Sequence, residues 1–441
     1  MSERLPKDAT LVPLKEGALL VSRDLAVFCR IPPGELFAVE AALARGGALE
    51  GLSGLLRDDL EAHGFFGPPR EPEEDVPSVQ IQLTNACNLT CRYCCTNSED
   101  PRPKEVTYEQ LVSLLPQIHE AVGPKARVGI LGGEPLLVPW SLDLAEKVLD
   151  HGYDLTFFTN GVLLSNPELA QRVAALSIRG AEIRVSLSGP TEPLADDESG
   201  APRWEPVLRG LEALHEAGGR AVLDLMLLPG HVDAVAAALP SLRMRLPPSV
   251  RLTFGVLYHS GRESGAHLFP SAQALQESLD RISLFAGERI PATPRAPVAH
   301  RREGCGCAMG HHLAIRSDGA LFNCFKMEEQ VGHLAKDDLI VAARRLQAAP
   351  GRAVTLPTCA DCPLATLCGG GCRSENLIFT GDPGKPPCGP WRVQLMAELL
   401  ADGQVDAMDW PIHHLLAEAH RRGIEAPERI LPVRPSSHML G

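Results

Sequence analysis

Residues 79–94, VQIQLTNACNLTCRYC, decide how this 441-residue chain is expected to fold and react. From Val79 to Thr84 apolar and polar side chains alternate, the period of a β-strand with two unlike faces. Gln80, Gln82 and Thr84 form the polar face. Cys87, Cys91 and Cys94 follow at once on a tight loop. Three thiolates supply three of the four ligands of a four-iron cluster and leave one iron open. An open iron can bind and activate a ligand, whereas a fully ligated cluster only moves electrons.

Downstream of this strand, apolar runs suited to strands recur at Arg127–Leu131, Leu155–Thr159, Glu182–Leu187, Ala221–Leu227 and Leu252–Leu257. Helical patterns lie between and after them, at Tyr108–Val122, Leu142–His151, Pro167–Leu176, Pro206–Ala217, Val232–Leu242 and Ala272–Phe285. Alternation of this kind predicts a parallel sheet with right-handed crossovers. Spacing leaves a barrel, an incomplete barrel and a doubly wound sheet open. Arg184, Ser186 and Ser188 repeat the polar stripe of the first strand. Parallel strands covered on both faces are normally apolar throughout, so the stripes predict a face that lines an occupied cavity.

The spacing Cys-x3-Cys-x2-Cys after the first of six β-α repeats resembles the radical S-adenosylmethionine superfamily. The resemblance implies an α/β fold with a partial (β/α)6 barrel over residues 78–290. It also implies a [4Fe–4S] cluster on Cys87, Cys91 and Cys94, with S-adenosylmethionine on the open iron. Reductive cleavage of that cofactor would yield a 5′-deoxyadenosyl radical, with the electron from a donor such as flavodoxin or ferredoxin. Tyr93 matches the aromatic position expected to pack on the adenine. Gly132-Gly133-Glu134-Pro135 resembles the family's GGEP motif, and Thr159-Asn160-Gly161 its third-strand turn. Ser186 matches a ribose or carboxylate contact. Ser188 stands where many relatives carry Asp. All are expected at the carboxyl ends of parallel strands, where such folds build their sites.

Thirteen cysteines are present, and twelve fall into two groups. Cys29 stands apart and reads as a small buried apolar residue; Cys95 reads as a buried thiol beside the loop. The second group is Cys305, Cys307, Cys324, Cys359, Cys362, Cys368, Cys372 and Cys388. Eight thiols are what two further clusters require, and zinc is the inorganic alternative. This group resembles the SPASM extension of peptide-modifying radical enzymes. That resemblance implies a nearer cluster on Cys305, Cys307, Cys324 and Cys372, and a farther one on Cys359, Cys362, Cys368 and Cys388. The chain would then hold three [4Fe–4S] clusters.

Residues 1–66 begin with two apolar runs, Ala9–Leu14 and Ala18–Phe28, followed by helical patterning from Gly34 to His63. They resemble a small winged-helix-like peptide-recognition module that would take up a peptide as an added strand. Residues 67–77 read as a Pro- and acid-rich linker. Residues 291–441 read as a Cys-rich C-terminal extension, irregular until helices near Val393–Leu400 and Pro411–Arg421. Asp224, His311, His312 and Lys326 are the remaining residues weighed for chemistry, each with a structural role expected and no catalytic acid or base named.

A net charge of −13 argues against a nucleic-acid partner. No segment is apolar and long enough to span a bilayer, and no secretory signal is visible at Met1–Leu14. A cytoplasmic protein is expected. The implied activity is oxidative cross-linking of a ribosomally made precursor peptide through a thioether, C–C or C–O bond. The rivals are formylglycine-type oxidation of Cys or Ser in a protein, and a non-catalytic iron–sulfur electron carrier.

Overall fold

The computed structural model describes residues 4–71, 77–94, 96–123, 126–228, 231–256, 262, 301–304, 310–327, 329–348, 351–410 and 412–426. The predicted helix at Ala272–Phe285, Leu257, Cys95, Cys305 and Cys307 lie outside them.

The chain opens with an antiparallel sheet of β1 (Thr10–Pro13), β2 (Ala18–Ser22) and β3 (Val27–Ile31), then helices α1 (Leu36–Ala44) and α2 (Gly54–Ala62). The apolar run Ala18–Phe28 is therefore two strands rather than one. Ser22 Oγ accepts from Leu25 N at 3.2 Å and donates to Asp8 Oδ1 at 2.9 Å, closing a turn that Ala26 leaves at φ 56°. One face of this sheet packs on α1 and α2 through Leu20, Val27, Cys29 and Ile31. Cys29 is buried there as an apolar filler.

The central sheet contains β4 (Ser78–Gln82), β5 (Arg127–Leu131), β6 (Asp154–Thr159), β7 (Glu182–Leu187), β8 (Ala221–Leu227) and β9 (Val250–Val256). All five pairings between them are parallel, and neighbours in the sheet are neighbours in sequence. A doubly wound sheet reverses its order at a switch point; this one does not, and its winding is that of a partial barrel. The crossovers are α3 (Tyr108–Val122), α4 (Ser141–Asp150), α5 (Pro167–Ile178), α6 (Glu192–Ser199), α7 (Trp204–Glu216) and α8 (Val232–Arg245). Thr107 and Gln110 form a reciprocal capping box at the start of α3, which satisfies two otherwise orphaned N–H groups. The helix α6, EPLADDES, is too acidic to show an apolar period and was not expected.

Val79, Ile81 and Leu83 enter the main core with the helices, whereas Gln80 and the Gln82 side face the other way. Of the two polar stripes, Gln80 and Arg184 line a cavity of about 320 Å³, together with Thr156, Asp224 and His312. Asp224 is held there by Arg184, with contacts of 2.6 and 2.9 Å, and by the Thr253 hydroxyl.

The C-terminal region is more regular than its composition suggests. Strands β10 (His312–Ile315), β11 (Ala320–Phe322) and β12 (Gln330–His333) extend the central sheet, with β10 parallel to β4. They are three or four residues long, so a periodicity signal had almost no room to develop. Helices α9 (Leu339–Ala348), α10 (Ala365–Cys368), α11 (Arg373–Thr380), α12 (Pro390–Ala401) and α13 (Ile412–Arg422) follow. The second face of the N-terminal sheet packs on α12 and α13, joining Leu19, Val21 and Phe28 to Leu395, Leu399 and Leu415. No helix among the described residues is long and apolar enough to cross a membrane.

Candidate functional site

The first thiol loop sits at the carboxyl ends of β4 to β7. Its path is set by backbone pairing: Cys87 N donates to Glu99 O, Thr90 N to Ser199 O and Arg92 N to Glu198 O, at 3.0–3.2 Å. The acidic α6 thus supports the loop with its last carbonyls. Gly133 N and Glu134 N donate to Thr84 O and Ala86 O at 2.7 and 2.9 Å. A side chain at position 133 would collide with the Ala86 carbonyl. The close approach that glycine permits here is therefore to the strand that delivers the cysteines.

Glu134 is fully buried. Its carboxylate accepts from Leu136 N at 3.0 Å, Thr159 Oγ1 at 2.7 Å and Asn160 N at 2.7 Å. Burial pushes its carboxyl above the usual range against the pull of these donors. Its side chain therefore ties the loop after β5 to the loop after β6. Pro135 begins a single 3₁₀ turn and is buried beside it. Asn160 then reaches the thiols: its Nδ2 lies 3.9 Å from Cys87 Sγ and 2.7 Å from Asn88 Oδ1. Gly132 is packed against the Thr84 carbonyl.

Sequence reasoning missed Arg203. It is 1 % exposed, in the turn before α7. Its guanidinium donates to Ser188 Oγ at 2.7 Å, to Asn160 O at 3.0 Å and to Ser186 O. Tyr93 donates its hydroxyl to the same Ser188 Oγ at 2.5 Å. Ser188 is thus enclosed between a phenol and a guanidinium, while Ser186 contributes its carbonyl. Burial holds the Tyr93 phenol above its ordinary range. Arg262, also missed, clasps the loop from outside through Cys91 O, Asn97 Oδ1 and Ser98 O at 2.9–3.3 Å. Neither arginine belongs to a short motif; only the topology brings each to the loop.

Cys87, Cys91 and Cys94 are all partly exposed, so a group bound to them can reach solvent and substrate. Burial pushes the Cys87 thiol up to about 11, against the Leu89 N–H, with Glu134, Cys91 and Cys94 adding to it. Burial also raises Cys91, and Arg203 opposes this. Protonated thiols crowded in this way are stabilised as thiolates by a cationic iron group. The donor set therefore fits a cluster with three protein ligands.

The second group brings Cys359, Cys362, Cys368 and Cys388 into one electrostatic neighbourhood. Burial pushes Cys359 up to about 11, and Cys368 and Cys362 add to the rise. Cys388 lies in the field of Arg392 and of these three thiols. Cys372 Sγ lies 3.1 Å from Ser374 Oγ. Cys324 Sγ accepts from Lys326 N at 3.5 Å. Among the described residues no three His, Cys, Asp or Glu side chains close on one metal-ion position. Asp224 and His312 line the cavity of the central sheet, with His311 next in chain to His312.

Residues 81–238 match the model described as the radical SAM superfamily. GTP 3′,8-cyclase of Nostoc sp. is 27% identical over 275 residues, 57% of this chain and 82% of that protein. The mycofactocin maturase MftC of Mycobacterium ulcerans is 30% identical over 211 residues, covering 47% of this chain and about half, 55%, of that protein. Among solved structures, Streptococcus suis SuiB bound to its precursor peptide SuiA aligns with a TM-score of 0.53 and 14% identity, over 88% of this chain and 99% of that one. At that identity the likeness is one of fold. The motif loop, the sheet that carries it and the family match coincide: this chain carries a radical SAM domain.

Proposed function

We propose that the chain is a radical SAM peptide maturase, abstracting hydrogen from one residue of a ribosomally made precursor peptide and leaving an oxidative cross-link. The observation that carries the radical step is the convergence of Cys87, Cys91 and Cys94 with Asn160 and Arg203 at the strand ends. A [4Fe–4S] cluster on those thiols, with S-adenosylmethionine, supplies the electron and the 5′-deoxyadenosyl group that takes the hydrogen atom. Arg203 and Asn160 position the loop and hold a buried positive charge beside it. Tyr93 and Ser188 fix the loop's far side. Gly132, Gly133, Pro135 and Ser186 contribute backbone near the same place.

The peptide assignment is supported by two further features. The N-terminal sheet leaves β1 and β3 as edge strands, and an edge strand can accept a peptide as an added strand. The second thiol group would hold auxiliary clusters, which would supply an acceptor for the electron released as the substrate radical closes its bond. In that step the peptide loses two hydrogens in all, one as an atom to the 5′-deoxyadenosyl group and one as a proton plus an electron. SuiB and MftC are a fold neighbour and a partial relative whose names and titles refer to a precursor peptide and a maturase.

The test is anaerobic incubation of reconstituted protein with dithionite, S-adenosylmethionine and the short peptide encoded beside its gene. The expected result is 5′-deoxyadenosine together with a peptide lighter by two hydrogens. Absence of 5′-deoxyadenosine would sink the radical reading. Its formation with GTP consumed and the peptide untouched would favour a nucleotide substrate, the direction in which the Nostoc likeness points.

A further inference from the structure

We propose that Arg392 sets the reduction potential of the group held by Cys359, Cys362, Cys368 and Cys388, making it the electron acceptor of the pair. The inference rests on the reading that two auxiliary clusters are bound.

Arg392 lies in the first turn of α12, four residues after Cys388. It is 5 % exposed, an unusual position for a guanidinium. A methyl group added to Gly371 would lie 3.3 Å from its Nη2 and 3.7 Å from its Nη1. The guanidinium is therefore laid across the turn Gly369–Gly371, which joins Cys368 to Cys372. Gly371 has φ 73°, so glycine is favoured there for conformation as well as for space.

Two buried arginines meet this turn and are used differently. Arg373 spends its donors on the Gly370 and Gly351 carbonyls at 3.1 and 2.8 Å, and so builds the turn. Among the described residues the Nε of Arg392 has no hydrogen-bond acceptor. Burial works against the Arg392 charge, but Cys368, Cys388, Glu375 and Cys359 outweigh it. Glu375, itself buried, is spoken for by the Ile412 N–H at 3.3 Å. What faces Arg392 is thus the thiols of Cys368, Cys388 and Cys359 with the Glu375 carboxylate behind them, and a buried cation there demands negative charge.

Reduction of an iron–sulfur cluster adds one negative charge. A fixed cation in a site of low dielectric favours the reduced form, and hydrogen bonds to sulfur act in the same direction. In the cross-linking step the substrate radical gives up one electron and one proton. With a cluster on these thiols, the electron would go to its oxidised form, the proton to solvent, and an external acceptor would later remove the electron.

The test is an EPR-monitored redox titration of full-length holoenzyme, after iron and sulfide have been counted. In Arg392→Met the reduced-to-oxidised ratio of one cluster at a fixed potential should fall at least tenfold, about 59 mV for a one-electron couple. The other two clusters should not move, and Arg392→Lys should stay within threefold of wild type. A merely structural arginine would not be rescued by lysine in this way. Unchanged ratios in an Arg392→Met protein with full iron content would overturn the proposal. If Met costs the cluster itself, Arg392→Gln decides between the same two outcomes. Wild-type iron near four per chain, rather than about twelve, would instead overturn the two-cluster reading beneath the proposal.

Discussion

The two thiol groups are built on different principles. Cys87, Cys91 and Cys94 hang from the ends of a parallel sheet whose core strands are almost wholly apolar on one face. Backbone hydrogen bonds to Glu99, Glu198 and Ser199 hold their loop, and Asn160 and Arg203 meet it from the next strands. Cys359 to Cys388 lie instead in a stretch of turns and short helices, where the local apolar cluster is only Leu356, Cys359 and Ala365 with Cys362 beside it. Much of what steadies this stretch is borrowed. Thr366 Oγ1 donates to Arg23 O at 2.6 Å, the Arg23 side chain donates to Ala360 O, and Leu364 and Leu367 pack into the cluster shared with the N-terminal sheet. One site is carried by the fold; the other leans on a neighbouring module.

The sharpest break between them should come from removing single ligands. Cys91→Ala is expected to abolish 5′-deoxyadenosine formation while about eight irons per chain remain. Cys368→Ala should lose the farther cluster, keep unproductive 5′-deoxyadenosine formation, and stop peptide modification. Iron analysis and chromatography of the nucleoside read both. Equal loss of cofactor cleavage in the two variants would mean that the groups are not separable.

Removing all the iron should sharpen the same contrast. Metal binding free energy is folding free energy where no other core exists. Anaerobic chelation followed by hydrogen exchange should strip protection from residues 351–388 first, and leave β5 to β7 protected close to the global limit. Protection lost uniformly along the chain would show that the sheet, too, relies on metal.

Arg203 tests the fold-carried site alone. Arg203→Met removes the guanidinium donor from the carbonyls of Ser186 and Asn160, while Ser188 Oγ keeps the Tyr93 hydroxyl. Each buried group left unpaired costs about 1–3 kcal/mol, so a total near 3 kcal/mol is expected by denaturant titration, with S-adenosylmethionine cleavage reduced at least tenfold. Retained stability with lost cleavage would point to a role in binding the cofactor rather than in supporting the loop.

This contrast also explains what was legible in the sequence. The strands β5, β7 and β8 and the helix α3 were read to their end residues, because long amphipathic or apolar periods set them. The thiol groups were legible because their spacing is local. Arg203 and Arg262 were not, since each reaches the loop across roughly a hundred residues or more of chain and carries no motif. The hairpin β10–β11 was missed because its strands are too short for a period, although Leu313 and Ile315 continue the core face of Val79 and Ile81. Glu134 lies just after the second strand of the repeat, where the motif put it, and its carboxylate joins two loops.

The smallest expected effect lies at the joint between the two regions, where β10 meets β4. His312 Nδ1 lies 2.5 Å from Ser78 Oγ, facing the barrel cavity. Burial, with His311 nearby, pushes its pKa down to about 4 from 6.5. Between pH 6.5 and 4 the unfolded chain therefore holds this proton and the folded chain does not. Stability from this group is complete above pH 6.5 and is lost as pH falls toward 4. Between pH 7 and pH 5.5 the loss should be about 1 kcal/mol. His312→Gln should remove that increment, so the wild-type and variant stability curves, measured by denaturant at pH 7, 6 and 5.5, should converge on acidification. Parallel curves would mean that His312 titrates alike in both states and that the seam between the sheet and its C-terminal extension is open to water.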